Sequence, residues 1–142
     1  MAAITDVKII GSTFKNEKQI IRARYDFSKD AGATGALDIF QASRDVIITG
    51  FSAVVKTAGT SGGSATVKVG VTADDDLFVT TTQGAVASLT AAAILLPIAV
   101  EGTPNVLPLP VKLPSGSKVI QTIGTAALTA GVIEYTIEYF EA

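Results

Sequence analysis

The chain reads as an all-β protein, a β-sandwich of jelly-roll topology, on three observations. Several short segments alternate apolar and polar residues with period 2, as strands buried on one face do. Clusters of Gly, Ser, Thr and Asp separate them, for seven to nine short strands in all. Alanine, glycine, threonine, serine and valine dominate and aromatics make up only 6%, a composition suited to short strands joined by turns.

Taken in order, the chain opens with an apolar run from Ile4 to Ile10 and a polar segment from Gly11 to Gln19. Residues 1–18 are read as a first strand or an N-terminal arm, and 19–142 as a single sandwich domain. A strand follows at 20–28, with Ile21, Ala23, Tyr25 and Phe27 on one face and Arg22, Arg24, Asp26 and Ser28 on the other. The second face can form cross-strand charge pairs. Gly32 and Gly35 mark a turn before a short strand at 36–41. Two further strands, 46–57 and 64–72, flank the polar turn AGTSGG at 58–63. In the later one Ala65, Val67, Val69 and Val71 share the inward face.

A strand is expected at 77–82, after the acidic run Asp74, Asp75, Asp76. Residues 84–96 favour helix by composition, yet Pro97 stops it and no capping box precedes it, so a short helix or apolar loop is expected. The prolines of VLPLPVKLP at 106–114 lack ladder donors and restrict this stretch to an edge strand centred on Val111 and Leu113. Strands at 117–124 and 132–140 close the chain, with a turn at Thr129-Ala130-Gly131. Ile133, Tyr135, Ile137 and Tyr139 form the buried face of the last one.

A chain of 142 residues is enough to bury roughly 70% of its unfolded surface as one domain. The net charge of −2 argues against a nucleic-acid binder that relies on phosphate neutralisation. Residues 1–45 carry seven basic against six acidic side chains, and the remainder four against seven. Without cysteine there is no disulfide framework or thiolate site. The first residues lack the pattern of a secretory signal. The longest apolar stretch, Ala91 to Val100, is about half a membrane span and contains Pro97, so no membrane partner is expected.

The candidate chemistries fail on residue type or spacing. Gly50-Phe51-Ser52-Ala53-Val54 begins like a nucleophile elbow, but Val54 replaces the second glycine and the chain has no histidine. Asp74, Asp75 and Asp76 suggest calcium, yet consecutive residues on an extended chain point to different sides, so two at most could share an ion without a special turn. Glu134 and Glu138 share a strand face, but four residues of strand span roughly 13 Å, beyond the about 5–9.5 Å of a glycosidase pair. They are read as solvated charges, or as partners for Lys or Arg of a neighbouring subunit. Gly62-Gly63 and Gly116-Ser117-Lys118 lack phosphate-loop spacing. Tyr25, Tyr135 and Tyr139 fall on apolar faces and are read as core. No catalytic residue, cofactor or metal is assigned.

Three segments nevertheless carry a resemblance: YDFSKDAGATGALDIF at 25–40, DVIITGFSAVVKTAGTSGGSATVKVGVTADDD at 45–76, and ALTAGVIEYTIEYF at 127–140. In this order they resemble the capsid decoration, or cement and head-fibre, proteins of tailed bacteriophages. The resemblance covers about two thirds of the chain and leaves 84–110 aside. It implies a structural virion protein, made in the bacterial host cytoplasm, that decorates and stabilises the exterior of an icosahedral capsid by bridging capsomers. The implied partners are the major capsid protein and the chain itself, as a trimer. Lys8, Lys15, Lys18, Arg22 and Arg24 are the candidate contacts to capsid or neighbouring subunit. The competing reading is a glycan- or receptor-binding sandwich module of a phage fibre or baseplate. It is weakened by the lack of tryptophan for sugar stacking.

Overall fold

The computed structural model describes residues 2–4, 6–11, 18–97 and 109–142. Eleven strands are named among them: β1 (Ala2–Ala3), β2 (Asp6–Gly11), β3 (Gln19–Asp26), β4 (Gly35–Gln41), β5 (Val46–Ser61), β6 (Thr66–Val71), β7 (Asp74–Val79), β8 (Ile94–Leu95), β9 (Val111–Leu113), β10 (Lys118–Gly124) and β11 (Leu128–Glu141). A four-residue helix, α1 (Phe27–Asp30), follows β3, and a single 3-10 turn spans Val86–Ser88. One sheet has the order β1-β4-β10-β6-β7; the other runs β2-β3-β11-β5-β8, with β9 also on β5.

The pairing is nested. β3 pairs with β11, β4 with β10, β5 with β9 and β6 with β7, all antiparallel. Strands therefore pair from the two ends of the chain inward, and successive pairs alternate between sheets. That is the jelly roll expected from the sequence. β1, β2 and β8 are additions at sheet edges, and β1 is parallel to β4.

The period-2 pattern holds as far as Asp26 in β3, where the chain turns into α1 and leaves Phe27 half-buried instead of on the inward face of a strand. The connections differ from expectation in two places. The strands either side of TSGGSA do not pair with each other; they lie in opposite sheets, and residues 62–65 are a crossing between layers. β5 continues to Ser61 because β11 extends to meet it, with Leu128 opposite Ser61 and Ala130 opposite Thr60. For the same reason the expected turn at Thr129-Ala130-Gly131 lies inside β11, and the chain reverses before Leu128 instead. Gly131 sits at φ 143° among register shifts, a conformation that suits a residue without Cβ.

Elsewhere the expected elements are found near their places. β7 begins at Asp74, earlier than the expected 77, and takes in the acidic run. The 84–96 segment holds the short 3-10 turn, and its Leu89 is buried. β9 is the edge strand around Val111 and Leu113.

The core lies between the sheets. Ala65, Val67, Val69 and Val71 are all buried, as are Ile133, Tyr135, Ile137 and Tyr139 from the facing layer. Aromatic rings tie the layers together: Phe51 of β5 stacks on Phe78 of β7 at 4.7 Å, and Phe40 of β4 meets Tyr139 of β11 at 5.3 Å. Such ring pairs contribute about 0.5–1.5 kcal/mol beyond area burial.

One polar contact crosses the same interior. The Tyr135 hydroxyl donates to Oε1 of Gln121 on β10, and Gln121 is fully buried. Its Nε2 has no hydrogen-bond partner among the described residues. Burial pushes the Tyr135 hydroxyl well above the ordinary tyrosine range, so it stays a neutral donor.

Two results check this arrangement by thermal melting. Tyr135→Phe leaves Gln121 wholly unpaired and is expected to cost about 1–3 kcal/mol, whereas adding Gln121→Leu recovers most of that loss. Val69→Asp places an unpaired charge in the core and is expected to abolish cooperative melting; near-wild-type melting would overturn the assignment of the inward face.

Candidate functional site

Both edges that carry the N-terminal residues lie on one flank of the sandwich. β1 borders the first sheet through Ala2 opposite Leu37 and Ala3 opposite Asp38. Ile4, buried in the core, links it across the layers, and its N–H donates to the Asp38 carbonyl at 3.0 Å. β2 then borders the second sheet along β3, with Lys8 opposite Arg22 and Asp6 opposite Arg24.

This register places the sequence-predicted contact residues. Lys8 lies in β2 beside Arg22, while Lys15 is outside the described residues. Arg24 and Glu134 are cross-strand neighbours, and the guanidinium meets the carboxylate at 2.9 Å. Lys56 approaches the other oxygen of Glu134 at 3.8 Å. Lys18 reaches Glu138 at 3.4 Å. Arg22 is exposed, stands opposite Thr136, and has no carboxylate partner among the described residues. Alternation along β3 thus gives Arg24 an acidic neighbour and Arg22 a neutral one. Both glutamates pair with cations of their own chain. These pairs are solvent-exposed, and each is worth about 0–1 kcal/mol.

Gly50 allows Glu138 to lie flat over β5: a Cβ there would sit 2.8 Å from its carboxylate. Gly50, Ser52, Thr136 and Glu138 line a shallow, open depression of about 210 Å³. Ser52 is half-buried on the strand, as expected for a strand residue. A second open depression, about 300 Å³, lies beside β1 against Asp38 and Phe40.

The corner leading from β3 into β4 is fixed by the YDFSKD segment. Asp26 caps α1, accepting from the Ser28 N–H at 3.0 Å and hydroxyl at 2.7 Å, while Asp30 accepts from the Asp26 N–H at 3.0 Å. The Tyr25 hydroxyl donates to the Ala31 carbonyl at 2.7 Å, and burial with nearby Asp30 and Asp26 raises its pKa to about 12. All three tyrosines are buried core residues rather than a stacking platform.

The acidic run departs from expectation. One carboxylate oxygen from each of Asp74, Asp75 and Asp76 lies within 4.8 Å of the others. A register shift supplies the special turn: Val71 pairs with Asp74 and Val69 with Val79, so β7 bulges against β6. Gly70 permits it, since a Cβ there would lie 2.1 Å from the Asp74 carbonyl oxygen. Asp75 is paired to Lys68 at 2.8 Å. Asp76 has its pKa raised, first by a hydrogen bond with Asp74, then by desolvation and the neighbouring negative charges.

No protein-family model and no curated relative matches the sequence. Solved structures match the fold. A chain of the capsid asymmetric unit of cyanophage Pam1 aligns with TM-score 0.60 at 14% identity, covering 94% of this chain and 91% of that one. A chain of the acid-stable capsid of Helicobacter pylori bacteriophage KHP30 aligns with TM-score 0.50 at 13% identity, covering 94% and 92%. The likeness is one of fold, and it extends over nearly the whole chain.

The carboxylates give opposite pH responses. Asp26, hydrogen-bonded by Ser28, and Asp45, hydrogen-bonded by the Ser115 N–H and Lys112, are both held below their ordinary 3.8. Their stabilisation is present above that value and is lost as pH falls through the folded pKa. Asp76 is raised, so its folded state favours the proton and its effect at neutral pH is destabilising. Asp76→Asn is therefore expected to raise the melting temperature at pH 7 and to lose that advantage near pH 3. Asp26→Asn is expected to lower it at pH 7, with the difference shrinking in acid.

Proposed function

We propose that this chain is a structural virion protein of a tailed bacteriophage that decorates the exterior of the icosahedral capsid and bridges capsomers. The observation that carries the reading is the end-to-end jelly-roll likeness to chains of two phage capsid structures. The ordered resemblance of 25–40, 45–76 and 127–140 to decoration proteins supports it independently.

The physical demands of such a role suit the molecule. A cement protein repeats the same modest contact over a shell, so avidity rather than one strong interface secures it. Low surface charge favours a chain that spends its life assembled, here as a homotrimer bound to the major capsid protein. The attachment surface is the N-terminal flank, bordered by β1 and β2, where Arg22 is an exposed cation with no ion-pair partner among the described side chains. The buried tyrosines and absent tryptophan disfavour the glycan-binding alternative.

The direct test mixes the purified chain with shells of its own phage prepared without it, and measures co-sedimentation and native mass. Saturable binding and a trimeric mass are expected. Deleting residues 1–18 removes two edge strands and the core residue Ile4, and is expected to leave a folded sandwich of lower melting temperature and to weaken attachment at least tenfold. Arg22→Glu is expected to weaken it in the same direction without changing the melting temperature. A chain monomeric at every concentration that ignores the shells would sink the reading.

A further inference from the structure

We propose that the outer edge of β4 accepts an extended segment of the shell protein, one that brings a Lys or Arg side chain to Asp38. This rests on the decoration reading and names the contact it would use.

The first observation is an incompletely covered strand edge. β4 spans seven residues, but β1 pairs with it only at Leu37 and Asp38. After Ile4 the chain leaves for the other sheet, and Ile39–Gln41 have no strand beside them on that edge among the described residues. Unpaired backbone donors and acceptors on a sheet edge are a template for another strand.

The second is the shape beside it. Ala3, Ile4, Asp38, Ile39, Phe40 and Gln41 line the open depression of about 300 Å³ where β1 stops. Four of these six side chains are apolar, so the floor suits the inward residues of an extended chain.

The third gives the occupant its chemistry. Asp38 is held by Lys118, whose Nζ donates to Oδ2 at 2.9 Å. Its other oxygen, Oδ1, is shielded from water and has no hydrogen-bond partner among the described residues. An acceptor left in that state is costly, and a donor arriving from outside would complete it. A cationic donor gives the stronger, shorter bond. An acidic or purely apolar segment would leave the oxygen unsatisfied.

The test uses the full-length chain and its shell. Amide hydrogen exchange is followed with and without shells prepared free of the protein, alongside two variants. Ala3→Trp fills the depression from an exposed position, and Asp38→Asn removes the charge that the incoming cation would meet. Shell binding is expected to slow exchange at 39–41 at least tenfold. Each variant is expected to weaken binding about tenfold or more, and Ala3→Trp to do so without changing the melting temperature. Wild-type binding with unchanged exchange at 39–41, or with both variants binding normally, would overturn the strand-acceptor site and leave decoration standing. Failure of the wild-type chain to bind at all would overturn both.

Discussion

The long antiparallel ladder between β5 and β11 is the constraint on which everything else depends. These are the two longest strands, and they pair from Val46 opposite Glu141 to Ser61 opposite Leu128. β3 attaches to the other side of β11, and β8 and β9 attach to β5. The inward residues of the ladder, among them Phe51, Tyr135 and Tyr139, supply the rings that reach the opposite sheet. A slip of one residue would turn those rings to solvent and bring Glu134 and Glu138 into the core. The register is therefore fixed by burial, and its bulges absorb the mismatches that so long a pair accumulates.

Much of this was legible in the sequence because burial imposes period 2 wherever one face meets a core. The inward faces of β3, β6 and β11 could be read residue by residue. Connections were less legible. TSGGSA looks the same whether the chain reverses within a sheet or crosses to the facing one, because both need small, turn-compatible residues. The choice is made by which strand waits on the far side, and β11 lies far away in sequence. The Asp74–Asp76 cluster escaped for a related reason. Its convergence depends on a register shift and on Gly70, neither of which local alternation reveals.

The candidate contact residues were only partly separable beforehand. Sequence placed Arg22 and Arg24 on one face as equals, but pairing divides them, because Glu134 lies opposite one and Thr136 opposite the other. No sequence signal marked Asp38. Its significance comes from the point where β1 ends and from an oxygen that the fold shields without satisfying.

The nested pairing also sets an order of events in the life of the chain. β2 and β3 can pair early, but β3 gains its second partner only in β11, and β4 its antiparallel partner only in β10. Among the described strands only β2 with β3, and β6 with β7, pair as neighbours along the chain. A ribosome emitting this polypeptide therefore exposes apolar strands such as 46–57 well before β11 can cover them, and much of the folding is deferred until β11 has been made. Contacts so distant in sequence make that folding slow and the nascent chain prone to aggregation. Loss of β11 would leave β5 without its long partner and β3 with only β2, so a copy interrupted before Leu128 is poorly equipped to fold.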